Sequence, residues 1–270
     1  MIVTINETLK FLKSRNVDCP KTGIILGTGL GKLVDHIEII SEIDYSEIPN
    51  FPVSTVEFHK GKLIYGAIEG HLVLAMQGRF HYYEGYSLQQ ITFPVRVMKA
   101  LGIENLLISN ASGAMNLDYK KGSLMLIDDH INLLGGSPLI GANHNELGPR
   151  FPDMSAPYSS NLNQMLEEIA NRKNITLHKG VYVAVAGPNL ETRAEYRFLR
   201  NIGADVVGMS TVPEVIVANH AGLPCAAISV ITDECDPNNL KPVDIRDILA
   251  MATLAEDDLI VLFKALIKNL

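Results

Sequence analysis

The sequence predicts an α/β protein built on a mixed β-sheet. Apolar runs bounded by turn residues recur along the chain, and several are continuous and rich in β-branched residues, as in strands covered on both faces. Helical patterns alternate with these runs, which is typical of α/β architectures. The turn IEGH at residues 68–71 separates two apolar runs as in a hairpin, so antiparallel pairs are expected beside parallel ones.

The predicted strands are apolar segments with turn residues on either side. Isoleucine and valine recur in them, and such β-branched residues favour strands over helices. Eight segments fit this description, at residues 22–26, 62–68, 72–77, 105–110, 124–134, 181–187, 205–209 and 225–232.

Helices are predicted from apolar residues at helical spacing and from capping and stop residues. The first covers the N-terminal segment 1–16. Ser87 is expected to cap a helix that runs to Leu101, although Pro94 falls inside it. Further helices are expected to begin at Ser159 or Ser160, near Glu191, near Thr211 and near Val243.

The sequence shows no linker rich in Pro, Ser or Gly that would separate two domains. A single domain spanning 1–270 is therefore expected.

Composition and charge limit the classes of partner. The 270 residues are 47% hydrophobic and 20% charged, and no segment approaches the roughly 20 uninterrupted apolar residues of a membrane span. The formal net charge of −7 and the lack of a long basic run argue against nucleic acid as a partner. Three cysteines without metal-ligand spacing favour free thiols and a cytoplasmic location.

Two glycine-containing segments follow predicted strands, where α/β proteins commonly bind ligands. In GIILGTGLGKL (residues 23–33) the glycines let backbone N–H groups approach an anion, but their spacing matches neither a dinucleotide fingerprint nor a P-loop. A plain tight turn and a small phosphate cradle using the Thr28 hydroxyl both stay open. The segment SNASGAMN (residues 109–116) has small residues that would let a ligand approach the backbone.

The segment GRFHYYEGYS (residues 78–87) gathers donors and aromatic rings in an acidic protein. If the preceding strand continues through it, Arg79 and His81 point to one side while Phe80 points to the core. Two donors on one side suit a phosphate dianion, because charge-assisted hydrogen bonds from arginine are strong. Tyr83 and Tyr86 would supply a flat wall for a sugar or a base. The residues alone therefore predict an anion site.

Two carboxylates stand where strands and helices meet. Glu191 lies at the start of a predicted helix and Asp233 at the end of a predicted strand, and each suits either local capping or hydrogen bonding to a ligand. The chain has no G-x-S-x-G motif and no H-E-x-x-H motif. Serine hydrolase and zinc protease chemistry therefore find no support, and no metal is expected.

Together these segments resemble the trimeric, low-molecular-mass purine nucleoside phosphorylases. The match follows the family's order from about residue 20 to 235, and a chance match of the whole series is not credible. The resemblance implies a three-layer α/β/α fold around a mixed, partly barrel-like sheet, and a homotrimer with active sites near the subunit interfaces. The matching segments are ILGTGLG, IPNFPVSTV, MQGRFHYYEGY, SNASGAMN, RFPDMSAPY, VAGPNLETRAE and GMSTVPEVIVANHAGLPC.

The resemblance also implies roles for the residues that match the family's motifs. His81, Glu191 and Asp233 would be catalytic. Phosphate would be held by Thr28, His59, Arg79, His81, the backbone N–H of Ala111, and Ser210. The purine would meet Ala111, Glu191, Val207 and Asp233, and the ribose would meet Tyr83, Met209 and, from a neighbouring subunit, Phe151.

The reaction implied is the reversible phosphorolysis of purine ribonucleosides and deoxyribonucleosides such as inosine and guanosine. Phosphate attacks C1′, the ribosyl group passes through an oxocarbenium-like state, and the base leaves. Because phosphate is itself the nucleophile, it is a co-substrate and no cofactor is expected. The alternatives are a phosphorylase that accepts 6-aminopurines (adenosine or 5′-methylthioadenosine), a nucleosidase, and a non-catalytic nucleoside-binding protein.

Three positions depart from the family's common pattern. Asp233 replaces the usual asparagine, Leu190 replaces an aromatic residue, and an apolar residue, Ile245, replaces the histidine expected near the 5′-hydroxyl. One hypothesis is that Asp233, desolvated beside Glu191, is neutral and donates a hydrogen bond to the leaving base. The other is that Asp233 accepts a hydrogen bond from a 6-amino group, which would extend the substrate range.

Overall fold

The computed structural model describes residues 1–56 and 59–270 of the chain. In these residues the helices are α1 (Ile2–Ser14), α2 (Leu88–Ala100), α3 (Ser160–Lys173), α4 (Arg193–Asn201), α5 (Val212–His220) and α6 (Ile245–Ile267). The strands are β1 (Thr22–Ile25), β2 (Glu38–Asp44), β3 (Lys62–Ile68), β4 (His71–Gln77), β5 (Asn105–Ala114), β6 (Leu124–Leu133), β7 (Leu177–Val185), β8 (Val206–Gly208) and β9 (Cys225–Glu234).

All of these strands belong to one mixed sheet with the order β2-β3-β4-β1-β5-β8-β7-β6-β9. Strand β1 lies parallel to both β4 and β5, whereas β2, β3 and β4 are joined by antiparallel pairs. A further parallel pairing between β5 and β9 closes β5, β8, β7, β6 and β9 into a five-stranded barrel. The predicted mixed, partly barrel-like sheet is confirmed.

Helices cover the sheet on both faces. Side chains alternate along β1, so that Ile25 joins a core shared with α1, α2 and α5, while Ile24 joins a second core shared with α3 and α6. Helix α2 packs against α5, and α3 packs against α6. The α/β/α layering implied by the resemblance is therefore confirmed.

The eight predicted strands are present, with two informative differences. The segment 105–110 continues as β5 to Ala114, so residues 109–114 lie within a strand and not after one. Strand β2 has no counterpart among the predictions, because six of its seven residues are at least partly exposed and only Ile43 is buried. An edge strand of this kind lacks the apolar run that marks a covered strand.

The hairpin predicted at 68–71 joins β3 to β4. Its two turn residues, Glu69 and Gly70, have φ angles of 50° and 81°. Positive φ at both central residues defines the type I′ turn, whose twist matches that of the flanking strands. The antiparallel pair Ile68 with His71 brackets this turn, which confirms the prediction.

The predicted helix starts agree with the structure to within about two residues. The Ser87 hydroxyl accepts a hydrogen bond from the backbone N–H of Gln90 at 3.2 Å, which caps α2 as expected. Pro94 lies inside α2 without ending it. In the described part of the chain, every helix is too short or too polar to cross a lipid bilayer.

Helix α6 carries a buried carboxyl group that holds the start of a short 3₁₀ segment, Lys32–His36. Glu256 is 1% exposed, and its Oε1 accepts a hydrogen bond from the backbone N–H of Lys32 at 2.6 Å. Burial raises the pKa of Glu256 to about 7, although the Lys32 N–H acts in the opposite direction. The folded protein therefore binds this proton more tightly than the unfolded chain does.

Replacing Glu256 with glutamine is expected to remove a pH dependence of stability. Since the pKa of Glu256 is higher in the folded state, the wild-type free energy of unfolding falls as pH rises from about 4.5 to 7, by up to about 3 kcal/mol. Urea unfolding at pH 5 and pH 8 measures this fall, which Glu256→Gln should largely lose. The exposed Asp258 on the same helix gives the control Asp258→Asn, and an equal loss there would contradict the prediction.

Candidate active site

A cavity of about 230 Å³ opens at one end of the sheet. Its lining includes Leu190 and Ile245, two of the three positions that depart from the family's pattern. Ten of the residues predicted from the sequence line it together: Thr28, Arg79, His81, Tyr83, Ala111, Glu191, Val207, Met209, Ser210 and Asp233.

The parallel strands explain why distant segments meet here. Ile25 of β1 is in register with Met76 of β4 and with Ile108 of β5. The residues that follow in each strand therefore reach the same end of the sheet, which brings Thr28 and Arg79 beside the Ser109–Gly113 part of β5. Carboxyl ends of neighbouring parallel strands are where open α/β sheets bind ligands.

Arg79 is a buried cation at the floor of the cavity, with 2% of its surface exposed. Its Nη1 donates hydrogen bonds to the backbone carbonyl of Ser109 at 2.9 Å and to Ser210 Oγ at 3.1 Å. Its Nε lies 3.2 Å from Oε1 of Glu214, which is itself buried. Within the described residues, neither Nε nor Nη2 of Arg79 has a partner with hydrogen-bond geometry, and since Nε is paired in charge with Glu214, Nη2 is the donor left for a ligand.

The sequence suggested a strand that continues through residues 78–81, and the structure shows that it does not. Strand β4 ends at Gln77, and Gly78 has a φ of 108°. A side chain on Gly78 would also collide with His59, since its Cβ would lie 2.7 Å from the His59 Cβ. Arg79 and His81 nevertheless both line the cavity while Phe80 is buried in the core. The prediction that Arg79 and His81 face one side and Phe80 the core is therefore correct, but a continuing strand is not the reason for it.

His81 is held by an acid that the sequence analysis did not single out. Its Nδ1 lies 3.2 Å from Oε1 of Glu84, and its backbone N–H donates to the same oxygen at 2.7 Å. Burial lowers the pKa of His81, and the charge of Arg79 lowers it further. Although burial raises the pKa of Glu84, hydrogen bonds from His81 and Thr55 lower it to about 2. A neutral His81 with Nδ1–H donated to ionised Glu84 leaves Nε2 as an acceptor.

His59 does not line the cavity but supports residues that do. Its Nε2 lies 3.1 Å from Thr28 Oγ1, and its ring stacks on that of His81 with centroids 5.3 Å apart. Burial lowers the pKa of His59 to about 4, and the neighbouring His81 and Arg79 contribute in the same direction. A neutral His59 can therefore orient the Thr28 hydroxyl without adding charge.

Ser210 completes this end of the cavity. Its backbone N–H donates to the hydroxyl of Tyr182 at 3.2 Å, and the following residue, Thr211, has a φ of 68°. This strained conformation is supported by Asn110, whose Nδ2 donates to Thr211 Oγ1 at 2.9 Å. Asn110 lines the cavity but was missed by the sequence analysis, because an asparagine in an apolar strand carries no distinctive pattern.

The opposite end of the cavity is acidic. Glu191 lies two residues before α4, whose N-cap is Thr192, and Asp233 lies one residue before the end of β9. Burial raises the pKa of Glu191, and the charge of Asp233 acts in the same direction, whereas the Tyr196 hydroxyl lowers it. Tyr196 also lines the cavity and was missed, since a tyrosine on an amphipathic helix is usually a packing residue.

Phe151 lies outside this cavity. It is 87% exposed, whereas the other residues predicted for the ribose, Tyr83 and Met209, both line the cavity. The structure of one chain thus brings Phe151 to the surface, which is where a residue that reaches a neighbouring subunit must be.

The arrangement has clear chemical limits. In residues 1–56 and 59–270, no group of three or more His, Cys, Asp and Glu side chains is placed to hold a metal ion. One end of the cavity offers a buried guanidinium and hydroxyl donors, which suit a small anion. The other end offers carboxylates, which accept hydrogen bonds from N–H groups of a ligand.

A cavity in an α/β fold that offers a buried guanidinium together with carboxylates suits an enzyme that acts on a small anion and a polar organic ligand. Comparison with known proteins identifies the family. The chain belongs to the phosphorylase superfamily, whose family model matches residues 21–268, and within it to the purine nucleoside phosphorylases.

Curated relatives and solved structures both support this assignment. Purine nucleoside phosphorylase 1 of Geobacillus stearothermophilus is 50% identical over 266 residues, covering 98% of this chain and 97% of its own. The Bos taurus enzyme is 48% identical, covering 84% of this chain and 81% of its own. Isoform 2 of the Schistosoma mansoni enzyme, solved with cytosine and ribose-1-phosphate, superposes with a TM-score of 0.94 at 42% identity, covering 99% of this chain and 96% of its own.

Proposed function

We propose that the protein catalyses the reversible phosphorolysis of purine nucleosides such as inosine and guanosine, yielding the free base and ribose 1-phosphate or deoxyribose 1-phosphate in purine salvage. The observation that carries this proposal is the placement of the buried Arg79 and the carboxylates of Glu191 and Asp233 in one cavity of about 230 Å³. Such a cavity holds phosphate and a nucleoside side by side, which turns a bimolecular attack into a step within one complex.

The cationic end serves the nucleophile. Arg79 uses its free Nη2 donor for phosphate, and the hydroxyls of Thr28 and Ser210 and the backbone N–H of Ala111 add neutral donors. His81 contributes Nε2, which accepts a hydrogen bond from a phosphate O–H because Nδ1–H is directed at Glu84. Phosphate is thus fixed with one oxygen directed at C1′ of the ribose.

The acidic end serves the base. Glu191, when ionised, accepts the N1–H of a 6-oxopurine, and Asp233, when protonated, donates a hydrogen bond to the edge that carries N7 and O6. Because burial raises the pKa of Glu191, this carboxylate loses its charge at a higher pH than an exposed glutamate, and turnover should fall as the pH drops through that pKa. Tyr83 and Met209 contact the ribose, and Val207 lines the base pocket.

Four further properties belong to this proposal. The exposed Phe151 supports a homotrimer in which this ring completes a neighbouring ribose site. The single nine-stranded sheet of the described residues supports one domain spanning 1–270. The three cysteines, all in the described residues, are free thiols, which supports a cytoplasmic location. Inorganic phosphate is the only co-substrate, and no cofactor is required.

A second substrate class is favoured by one observation. Oδ1 of Asp233 accepts a hydrogen bond from the Thr232 hydroxyl at 3.0 Å, and Oδ2 accepts one from the Cys235 thiol at 3.0 Å. Both oxygens of the carboxyl group therefore act as acceptors. An acceptor at this position suits the 6-amino group of adenosine. A Schistosoma mansoni purine nucleoside phosphorylase, 38% identical to this chain, has been solved in complex with adenosine.

Release of base from inosine should require inorganic phosphate. The spectrophotometric change on conversion of inosine to hypoxanthine is expected with phosphate and absent in phosphate-free buffer, because water lacks the contacts that fix the nucleophile. Guanosine should behave in the same way, and adenosine tests the second substrate class. Base release without phosphate would indicate a nucleosidase, and tight inosine binding without release would indicate a binding protein.

A further inference from the structure

Cys235 lies directly behind the acidic wall of the cavity. It is 1% exposed and follows β9, two residues after Asp233. Its Sγ donates to Oδ2 of Asp233 at 3.0 Å. Its own backbone N–H donates to the carbonyl of Ala114 at 2.7 Å, which anchors the residue to the neighbouring strand β5. The thiol therefore has a fixed position relative to the carboxyl group.

Close packing on β5 leaves room for this thiol and for little else. A Cβ on Gly113 would lie 2.5 Å from the Cys235 sulfur and 2.9 Å from Oδ2 of Asp233. Glycine at position 113 thus permits the sulfur and the carboxyl group to lie together against the strand. Any side chain at this position would push the two groups apart.

The thiol acts as a donor because it keeps its proton. Burial raises the pKa of Cys235 far above the ordinary thiol value, and the charge of Asp233 raises it further. The Tyr196 hydroxyl lies close enough to influence the pKa values of both Cys235 and Glu191. The geometry directs the S–H hydrogen to Oδ2 of Asp233, and the Tyr196 hydroxyl lies between the Cys235 sulfur and Glu191 as a neighbour of both.

The second oxygen of Asp233 has a donor from its own strand. Oδ1 lies 3.0 Å from Thr232 Oγ1, which is also within 3.2 Å of the Ser112 carbonyl. Since this hydroxyl has one proton for two acceptors, it holds Asp233 only part of the time. The Cys235 thiol has Asp233 Oδ2 as its acceptor at 3.0 Å, and the Tyr196 hydroxyl also lies beside the sulfur.

We propose that Cys235 is a positioning residue, whose S–H holds the Asp233 carboxyl group in the orientation in which it meets the purine. The proposal rests on the proposed function, because it concerns the base edge of that site. Cys235 does not line the cavity, so it has no surface with which to contact a ligand bound there. Its effect on turnover must therefore pass through Asp233.

The variants Cys235→Ala and Cys235→Ser separate positioning from packing. Loss of the hydrogen bond that holds the Asp233 carboxyl group should lower kcat/KM for inosine by about tenfold in Cys235→Ala, while KM for phosphate stays unchanged. Serine retains a donor and should recover most of the lost kcat/KM. Cys225→Ala is the matched control, since Cys225 is a buried thiol near the Pro157 carbonyl, outside the cavity, and should leave kcat/KM unchanged.

A double-mutant cycle shows whether the thiol acts through Asp233. In an Asp233→Ala background there is no carboxyl group to position, so adding Cys235→Ala should change kcat/KM by less than about twofold. A full tenfold loss in that background, or a Cys235→Ser variant as impaired as Cys235→Ala, would overturn the proposal.

Binding of free hypoxanthine and adenine, measured by calorimetry, gives the same cycle without turnover. The affinity should fall in Cys235→Ala and should be independent of residue 235 in the Asp233→Ala background. Absence of turnover in the wild-type protein would contradict the proposed function alone, because this binding cycle would still report on Cys235. A binding loss that is equal in both backgrounds contradicts the positioning role.

Discussion

Replacing Arg79 with alanine is expected to lower kcat/KM for phosphate by roughly 10³-fold, because the nucleophile loses its only charge-assisted donor in the described cavity. The loss should appear in steady-state kinetics with phosphate as the varied substrate. The same substitution leaves Glu214, which is 3% exposed, as a buried carboxylate without its cation. Such an unpaired charge is expected to cost about 3–5 kcal/mol of stability.

A second variant separates these two effects of Arg79. Combining Arg79→Ala with Glu214→Gln removes the unpaired charge, so the free energy of unfolding in urea should recover substantially while kcat/KM for phosphate stays low. Recovery of kcat/KM along with stability would mean that Arg79 only supports the fold. An unchanged KM for phosphate in Arg79→Ala would contradict its placement at the nucleophile.

Replacing Glu191 with alanine is expected to lower kcat/KM for inosine by about 10³-fold, since a site built to hydrogen-bond a ligand N–H discriminates strongly when that bond is lost. Saturating phosphate should not rescue the variant, because Glu191 groups with Tyr196 and Asp233, whereas Arg79 groups with Ser210 and Glu214. Initial rates over a matrix of inosine and phosphate concentrations measure both effects.

Glu195 provides the matched control for Glu191. It lies in the first turn of α4, just after Glu191, is exposed, and accepts a hydrogen bond from the backbone N–H of the N-cap residue Thr192 at 2.7 Å. Glu195→Ala should cost about 1 kcal/mol of stability and leave kcat/KM for inosine unchanged. Comparable losses of kcat/KM in the two variants would show that the effect arises from the helix start and not from a contact with the base.

The fold was predictable where burial leaves a pattern in the sequence. The strands β1, β5 and β9 are covered on both faces, so they are continuous apolar runs that stand out from their surroundings. The edge strand β2 is largely exposed and has no such run, so it was missed. The barrel closure came from family resemblance, because the pairing of β5 with β9 joins residues more than 100 positions apart.

The site was predictable where donors cluster on one segment or where a motif matches the family. Arg79 and His81 stand out in the sequence, and ten of the predicted residues meet in the cavity. The supporting residues were missed because their partners are distant in sequence. Glu214 pairs with Arg79 across 135 positions of sequence. The hydrogen bond from the Cys235 thiol to Asp233 depends on the fold at the end of β9, which no sequence pattern marks. Supporting contacts of this kind are set by tertiary structure.

The claim that phosphate is the nucleophile can be tested most directly by following the fate of the ribosyl group with ³¹P NMR. Incubation with inosine and inorganic phosphate is predicted to produce one ribose 1-phosphate for each hypoxanthine released, with an equal loss of the inorganic phosphate signal. Release of hypoxanthine with free ribose and with no consumption of phosphate would contradict it.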